Sequence, residues 1–306
     1  MSLPILIALV LDVFLGDPPN RFHPTAWMGS LIAAWGRTRP RNNPVLEFLS
    51  GMLLTLLGIT LTGGVGFALT WLFNRLPVPI NWLSIALALK TTISLNGLNR
   101  AAREVQMALE SGQLPEARRL LSWHLVSRDT SQLSEAQVAA AGIESVAENA
   151  SDGILAPLFF FLIGGLPAAI AYRFVNTADA MLGYHDPARE WYGKFPARLD
   201  DLLNLIPARL TGLMILLSAP LCGGNFKQAW QIMWRDARAT ASPNAGIPMS
   251  AMAGALVVEL EKVDHYRLGK GLRLPSSPDL GRARRLLYVS IWLAALSFMV
   301  CKAYVF

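Results

Sequence analysis

The sequence predicts an all-α, polytopic helical membrane protein with about five or six membrane segments, some of them re-entrant candidates, and polar helical inserts. Three observations carry that expectation. Of the 306 residues, 53% are hydrophobic. Only 16% are charged, against about 25% in soluble proteins. The apolar residues gather in long runs with few charges, and the polar ones gather between them. A mean hydropathy of +0.38 suits a chain whose solvent is partly lipid. The formal net charge of +6 fits Lys and Arg collected in cytoplasmic loops. No run of five basic residues exists to suggest nucleic acid, so none is expected as a partner. Cys222 and Cys301 are isolated, and the four histidines are scattered. They offer neither a disulfide framework nor a zinc spacing.

The first element is the apolar stretch Leu3–Leu15. No Lys or Arg precedes it and no small-residue cleavage site follows, so it reads as an uncleaved membrane segment rather than a signal peptide. Asp12 lies inside it, and an acid facing lipid is costly, so Asp12 is expected to face the protein interior. Gly16-Asp17-Pro18 then signals a turn, with His23-Pro24 beyond. The clearest span is Leu49–Phe73, 25 residues without a charge, with Trp71 where an interfacial aromatic belongs. After a turn at Pro77 and Pro79, Ile80–Leu95 reads as the returning helix of a hairpin, with Lys90 inside it.

Residues 96–153 form the first polar insert. Leu98, Ala102, Val105 and Leu109 recur at helical spacing. Ser111-Gly112 breaks that helix, and Pro115 starts another. A third starts at Ser134, where Ser134 and Gln137 suit a capping box, and runs to about Ala150. Ile154–Tyr172 is apolar, but Gly164-Gly165 and Pro167 interrupt it. Leu203–Cys222 is apolar apart from Asn204 and Arg209. Residues 223–285 form a second, basic insert, and Leu286–Phe306 is a final span. The expected organisation is one integral membrane domain over residues 1–306, multi-pass in the cell (inner) membrane, with inserts 96–153 and 223–285.

Polar residues concentrate in stretches beside the apolar segments. Glu144 and Glu148 stand four apart, on one helix face directly before a membrane segment. Two such carboxylates repel unless something positive lies between them. Asn149 and Asp152 add oxygens, and oxygen ligands are what Mg²⁺ wants, often bridged to phosphate. Arg173, Asn176 and Asp179 follow helical spacing out of the membrane. Arg198, Asp201 and Asn204 share a face, with Asp200 beside them and Arg209 inside an apolar segment. A guanidinium there is suited to gripping phosphate or carboxylate. Ser127-Arg128-Asp129-Thr130 alone reads as a loop with a local ion pair. No P-loop, dinucleotide fingerprint or nucleophile elbow is present, so acids with a metal and arginines are the available chemistry.

These stretches together resemble the adenosylcobinamide-phosphate synthase family, the CobD/CbiB type of cobalamin biosynthesis. The motifs, in order, are LDVFLGDPPNRFHP at 11–24, SRDT at 127–130 and ESVAENASDGILAPLFF at 144–160. YRFVNTADAMLGY at 172–184, ARLDDLLNLIPARLT at 197–211 and SPNAGIPMSAMAGAL at 242–256 follow. The resemblance implies ATP-dependent amide ligation of adenosylcobyric acid to aminopropanol or its O-phosphate, with Mg²⁺. It implies catalytic roles for Glu144, Glu148, Asp152 and Asp201, and metal binding by Glu144, Glu148, Asp152 and Asp200. Arg128, Asp129, Arg173, Asn176, Asp179, Arg198, Arg209 and Asn244 would hold substrate and phosphate. Membrane lipid and later membrane enzymes of the same pathway are the expected partners. The chain departs from the family at Val257–Glu261 and at 185–196. Two other classes stay open at this point, a membrane transferase with an Asp-rich metal site and a transporter. So does topology. If every apolar stretch crosses, 173–202 lie opposite both inserts, unless Ile154–Tyr172 does not fully cross or the site is a cavity between helices.

Overall fold

The computed structural model describes residues 3–40, 43–183 and 190–305, with side chains described to residue 301. The stretch 184–189, which holds Tyr184 and part of the 185–196 departure, lies outside the described residues. In chain order the helices are α1 Leu3–Leu15, α2 Pro24–Thr38, α3 Pro44–Phe73, α4 Val78–Lys90, α5 Leu95–Glu110, α6 Leu114–His124 and α7 Glu135–Ala150. A π-helical turn, Ser151–Leu155, leads into α8 Ala156–Leu182, followed by α9 Lys194–Leu203 and α10 Leu205–Ser218. A 3₁₀ turn, Pro220–Cys222, precedes α11 Phe226–Asp236 and α12 Gly246–Leu256. Two short strands, β1 Leu260–Lys262 and β2 Tyr266–Leu268, form an antiparallel hairpin before α13 Ser277–Val305. The fold is nearly all-α, as the sequence predicts; the hairpin and the helices α2 and α12 were not anticipated. Among the described residues, three helical runs are long and apolar enough to cross a membrane: Pro44–Phe73, Glu135–Leu182 and Ser277–Cys301. The number is up to five if each of two bent helix pairs is one span. The chain is a multi-pass membrane protein.

The Cα framework separates into two compact units. Unit 1 comprises Met1–Ser94, Ala156–Asn204 and Phe298–Phe306. Within it α3 packs chiefly on α8, and α4 chiefly on α1. The expected hairpin of consecutive helices is therefore the lesser contact. Asn43 caps α3, its side-chain oxygen accepting from the Val45 and Leu46 amides at 3.1 Å, and Pro44 takes the first turn, where its missing N–H costs nothing. Buried Thr55 and Thr62, and half-buried Thr70, donate to the carbonyls four residues back, of Gly51, Gly58 and Gly66. Each hydroxyl is thus satisfied inside an apolar helix. The same three glycines mark the contact face of α3. A Cβ on Gly58 would overlap the Phe174 ring, and one on Gly66 would strike the backbone at Pro167. α4 ends at Lys90, earlier than Leu95, because Thr91 and Thr92 donate to the Ala88 and Leu89 carbonyls at 2.8 and 2.7 Å and close the helix.

The break expected in α8 is present. Gly164 leaves the helix at φ −132° and Gly165 turns at φ +64°, a left-handed conformation that favours glycine. Pro167 follows, so the chain restarts as a helix without an amide that would need a partner.

Unit 2 comprises Leu95–Leu155 and Leu205–Ser297. Its centre is α7, buried almost without interruption from Val138 to Ala147. Ala139, Ala140, Ala141 and Gly142 are small enough to let α5, α6, α12 and β1 approach α7. The capping box expected at Ser134 and Gln137 is formed in both directions. α12 is an 11-residue apolar helix, buried end to end within the stretch read as polar insert and packed on α10 and α11. It was missed because it is too short for a span and is flanked by charged residues. α13 begins at Ser277, nine residues before the apolar run, and Arg273 grips Asp279 in its first turn with two bonds of 2.7 and 2.6 Å.

The α3–α8 contact gives a direct test. Gly58→Ala is expected to lower stability by about 1–3 kcal/mol, because an added carbon forces the Phe174 ring to move in a packed interior. Thermal unfolding in detergent reads this. A Gly58→Ala, Phe174→Leu double variant should recover part of the loss, and no recovery would show that the two side chains do not meet.

Candidate functional site

Charged residues inside an apolar scaffold must be paired by the scaffold itself, and the structure assembles three such clusters. The first grows from the turn after α1. Asp12 is fully buried, as expected. Lys90, at the end of α4, places its ammonium 3.8 Å from Asp12 Oδ1 and 3.8 Å from Asp17 Oδ1 and donates to the Gly16 carbonyl. His23 Nε2 lies 3.8 Å from Asp17, and Ser94 donates to its other oxygen at 2.5 Å. Burial alone would raise the Asp17 carboxyl. The His23 and Ser94 hydrogen bonds and the Lys90 charge outweigh it and hold the group below the ordinary carboxylate range.

The second cluster joins α8 to α9 within unit 1. Arg173 Nη1 donates to Asn176 Oδ1 at 3.1 Å. The Asn176 amide reaches Asp200 Oδ1 at 3.4 Å, and Asn204 donates to Asp200 Oδ2 at 2.8 Å. Tyr172 in turn donates to Asn204 at 2.9 Å, and its ring stacks on Phe160 with centroids 4.8 Å apart. Asp179 adds a second acid close enough to act on Asp200. Among the described residues, Arg173 is also the one charged side chain in the wall of an apolar cavity of about 630 Å³ lined by Trp27, Leu61, Val65, Ile170 and Phe174. Asn204 was expected on the face of Arg198 and Asp201. It belongs instead with buried Asp200, one turn back. Arg198 is 77% exposed and pairs loosely with Asp201 at 3.9 Å.

The third cluster lies in unit 2 around α7. Glu144 is buried, and its Oε2 sits 3.8 Å from Arg128 Nη2. Glu148, one turn on, is half-buried. Lys262 of β1 places its charge near both carboxylates. Tyr266 of β2 lies against Glu144, and its hydroxyl meets Met249 Sδ at 3.9 Å. Burial first, and then the charges of Glu144 and Glu148, push the Tyr266 phenol far up, so it stays protonated. Glu144 Oε1 is buried without a hydrogen-bond partner among the described residues. Asn149 donates back to the Ser145 carbonyl at 2.9 Å, and Asp152 stands half-buried in the π-helical turn. Arg128 reaches Glu144 rather than its neighbour. Asp129 is instead taken up by Ser131, whose amide and hydroxyl donate to it at 2.9 and 3.0 Å. In the same unit, Arg209 donates to the Leu205 carbonyl at 2.6 Å and to buried Asn244 at 3.3 Å.

The residues carried over by resemblance therefore divide. Glu144, Glu148, Asp152, Arg128, Asp129, Arg209 and Asn244 belong to unit 2. Arg173, Asn176, Asp179, Arg198, Asp200 and Asp201 belong to unit 1. Among the described residues no three of His, Cys, Asp and Glu converge as a metal cage. Lys262, Tyr266 and Tyr172 were not anticipated. Lys262 and Tyr266 sit on the hairpin beside the departure at Val257–Glu261, where no pattern in the sequence ties them to Glu144.

The family described as CobD/Cbib protein matches residues 5–295. A cobalamin biosynthesis protein CobD of Dehalococcoides mccartyi is 45% identical over 88% of this chain and 86% of that protein. A probable cobalamin biosynthesis protein CobD of Methanothermobacter thermautotrophicus is 42% identical over 97% of both chains. A cobalamin biosynthesis protein CbiB of Salmonella choleraesuis is 38% identical over 99% and 98%. No solved structure matches the chain.

The Asp17 cluster predicts an acid dependence. A carboxyl depressed in the folded state contributes stability that is complete above about pH 4 and is lost as pH falls through its lower folded value. Asp17→Asn should therefore be less stable than the parent at pH 7 and flatten the acid limb of a stability–pH profile in detergent. An unchanged acid limb would remove Asp17 from the account.

Proposed function

Since the chain belongs to the CobD/CbiB family of cobalamin biosynthesis proteins, we propose that it is an adenosylcobinamide-phosphate synthase of the cell membrane. It joins a propionate carboxylate of adenosylcobyric acid to the amine of aminopropanol or its O-phosphate. A carboxylate is a poor electrophile, and ATP with Mg²⁺ supplies the leaving group it lacks. The observation that carries this reading is the pair Glu144 and Glu148 between Arg128 and Lys262. Mg²⁺ in nucleotide sites usually takes one or two carboxylates and fills its shell with phosphate oxygens and water. Two acids on successive turns, one with a buried uncommitted oxygen, fit that habit without a three-ligand cage.

The surrounding cations have distinct work. Arg128 and Lys262 offset charge as a phosphate approaches the two acids and as it departs. Tyr266, held protonated, donates a hydrogen bond but takes no proton. In unit 1, Arg173 offers a planar fork to a carboxylate, and Asn176, Asp200 and Asn204 fix its direction through their chain of hydrogen bonds. Asp152, Asp179, Asp201, Arg198, Arg209 and Asn244 complete the set we assign to substrate and phosphate. The second insert, 223–285, is rich in Lys and Arg, which favours the cytoplasmic side, where ATP is.

Purified protein in nanodiscs, given adenosylcobyric acid, aminopropanol phosphate, ATP and Mg²⁺, is expected to release the amide product, detected by mass. Product should vanish when ATP or Mg²⁺ is withheld, and persistence without ATP would overturn the activation step. Glu144→Gln and Glu148→Gln are expected to slow turnover by about 10²-fold or more, the scale of losing one preorganised electrostatic group. Arg119→Gln breaks only an exposed pair with Glu116 and should turn over like the parent.

A further inference from the structure

A second cavity, of about 780 Å³, lies in unit 2 outside every motif shared with the family. Its walls come from three separated stretches. α5 contributes Asn99 and Gln106, the 3₁₀ turn contributes Cys222, and α13 contributes Arg284 and Arg285.

Arg284 is oriented before any ligand arrives. Its Nε donates to Asn99 Oδ1 at 2.8 Å, and its Nη1 donates to Gln106 Oε1 at 2.8 Å. Gly281 lets Gln106 come this close, since a Cβ there would stand 2.8 Å from the amide nitrogen. Glu110, the one carboxylate in the wall among the described residues, accepts from that amide nitrogen at 2.8 Å. It is thus bound to an amide, and the bonds of Arg284 Nε and Nη1 go to neutral oxygens. Arg103 adds another positive charge nearby. Arg285 is exposed and makes no hydrogen bond or ion pair among the described residues. Burial pushes the Cys222 thiol up, against the pull of Arg285, so this wall residue is neutral at pH 7.

Two guanidiniums therefore face one concave space, one held in a fixed fork and one uncommitted, with a single acid already engaged. The hydrogen bonds of Arg284 go to neutral oxygens and Glu110 acts on its charge only through space, beyond ion-pair distance, and a fixed fork loses little entropy on binding. We propose that this cavity is a phosphate-binding site, in which Arg285 and the remaining NH₂ of Arg284 grip the phosphate oxygens. The apolar run of α13 begins at Leu286, directly after the two arginines. A lipid headgroup at the membrane boundary and a soluble phosphate ester offer the same chemistry. The site goes beyond the amide-ligation reading, and its test needs no turnover.

The test uses the full chain in two arms. In neutral detergent the unfolding midpoint is followed against inorganic phosphate and against ATP. In phosphatidylcholine nanodiscs it is followed with and without added phosphatidylglycerol. A saturable rise in either arm is expected. It should weaken about tenfold or more in Arg285→Gln, the scale of a lost charge-assisted bond. Arg285 is exposed, so this variant keeps the fold. Arg284→Lys, which retains charge without the fork, should weaken the same arm. A rise with phosphate or ATP that the variants weaken identifies a soluble phosphate, and a rise with phosphatidylglycerol alone that they weaken identifies a headgroup. No rise in either arm, or a rise that both variants keep in full, overturns the site.

Discussion

The contact between α3 and the broken helix α8 sets the rotation of the polar cluster around Arg173 and Asp200 in unit 1. Lipid offers helices no hydrophobic incentive to associate, so close approach over small residues has to supply the attraction. Gly58 receives the Phe174 ring and Gly66 receives the backbone at Pro167. With Phe174 turned into α3, neighbours one and two positions away cannot share that face. Arg173 and Asn176 are thereby aimed elsewhere, and their bonds run on to Asp200 and Asn204 of α9. Nothing in the polar cluster itself selects that orientation. The glycines do, from three turns of a helix that carries no charge between Leu49 and Phe73.

Each buried charge is answered locally, and the answers differ in kind. Asp12 meets Lys90 across two helices of unit 1, which fixes register between them. Removing either partner would strand the other in an apolar interior, a loss of about 3–5 kcal/mol. Asp200 is answered by neutral amides, which orient its carboxyl group without supplying an opposite charge. Glu144 is answered at 3.8 Å by Arg128, a looser pairing than Arg273 with Asp279 at 2.6 Å. The tight bidentate pair fastens a helix start, whereas the looser one leaves oxygen lone pairs for another ligand.

The fold class, the buried Asp12, the capping box at Ser134 and the break at Gly164–Gly165 were all legible, because each rests on chemistry local to a few residues. So was the polar stripe of Arg173 and Asn176. What could not be read is what depends on partners far along the chain. Asn204 looks like a neighbour of Arg198 and Asp201 by spacing, but Tyr172, 32 positions earlier, draws it to Asp200. Arg128 looks like the partner of Asp129, but Ser131 takes that acid and Glu144 receives the arginine. Lys262 and Tyr266 enter through a three-residue strand pairing that has no periodic signature. α12 was hidden for another reason: an apolar helix of 11 residues in a charged stretch carries neither the length of a span nor the moment of an amphipathic helix.

The two compact units are interleaved along the chain, and this bears on how the protein is made. α5, α6 and α7 leave the ribosome before α8 and α9, yet α12 and β1, which pack on α7, emerge only after both. For the time taken to synthesise residues 156–204, the buried face of α7 has no α12 to cover it. Unit 1 waits in the same way for its last segment, Phe298–Phe306. Neither unit can be completed and released as a block, so insertion has to keep each one half-built until its later segments arrive. Splitting the gene at any single point would separate at least one unit from part of itself, which sets this architecture apart from membrane proteins assembled from tandem, self-sufficient modules.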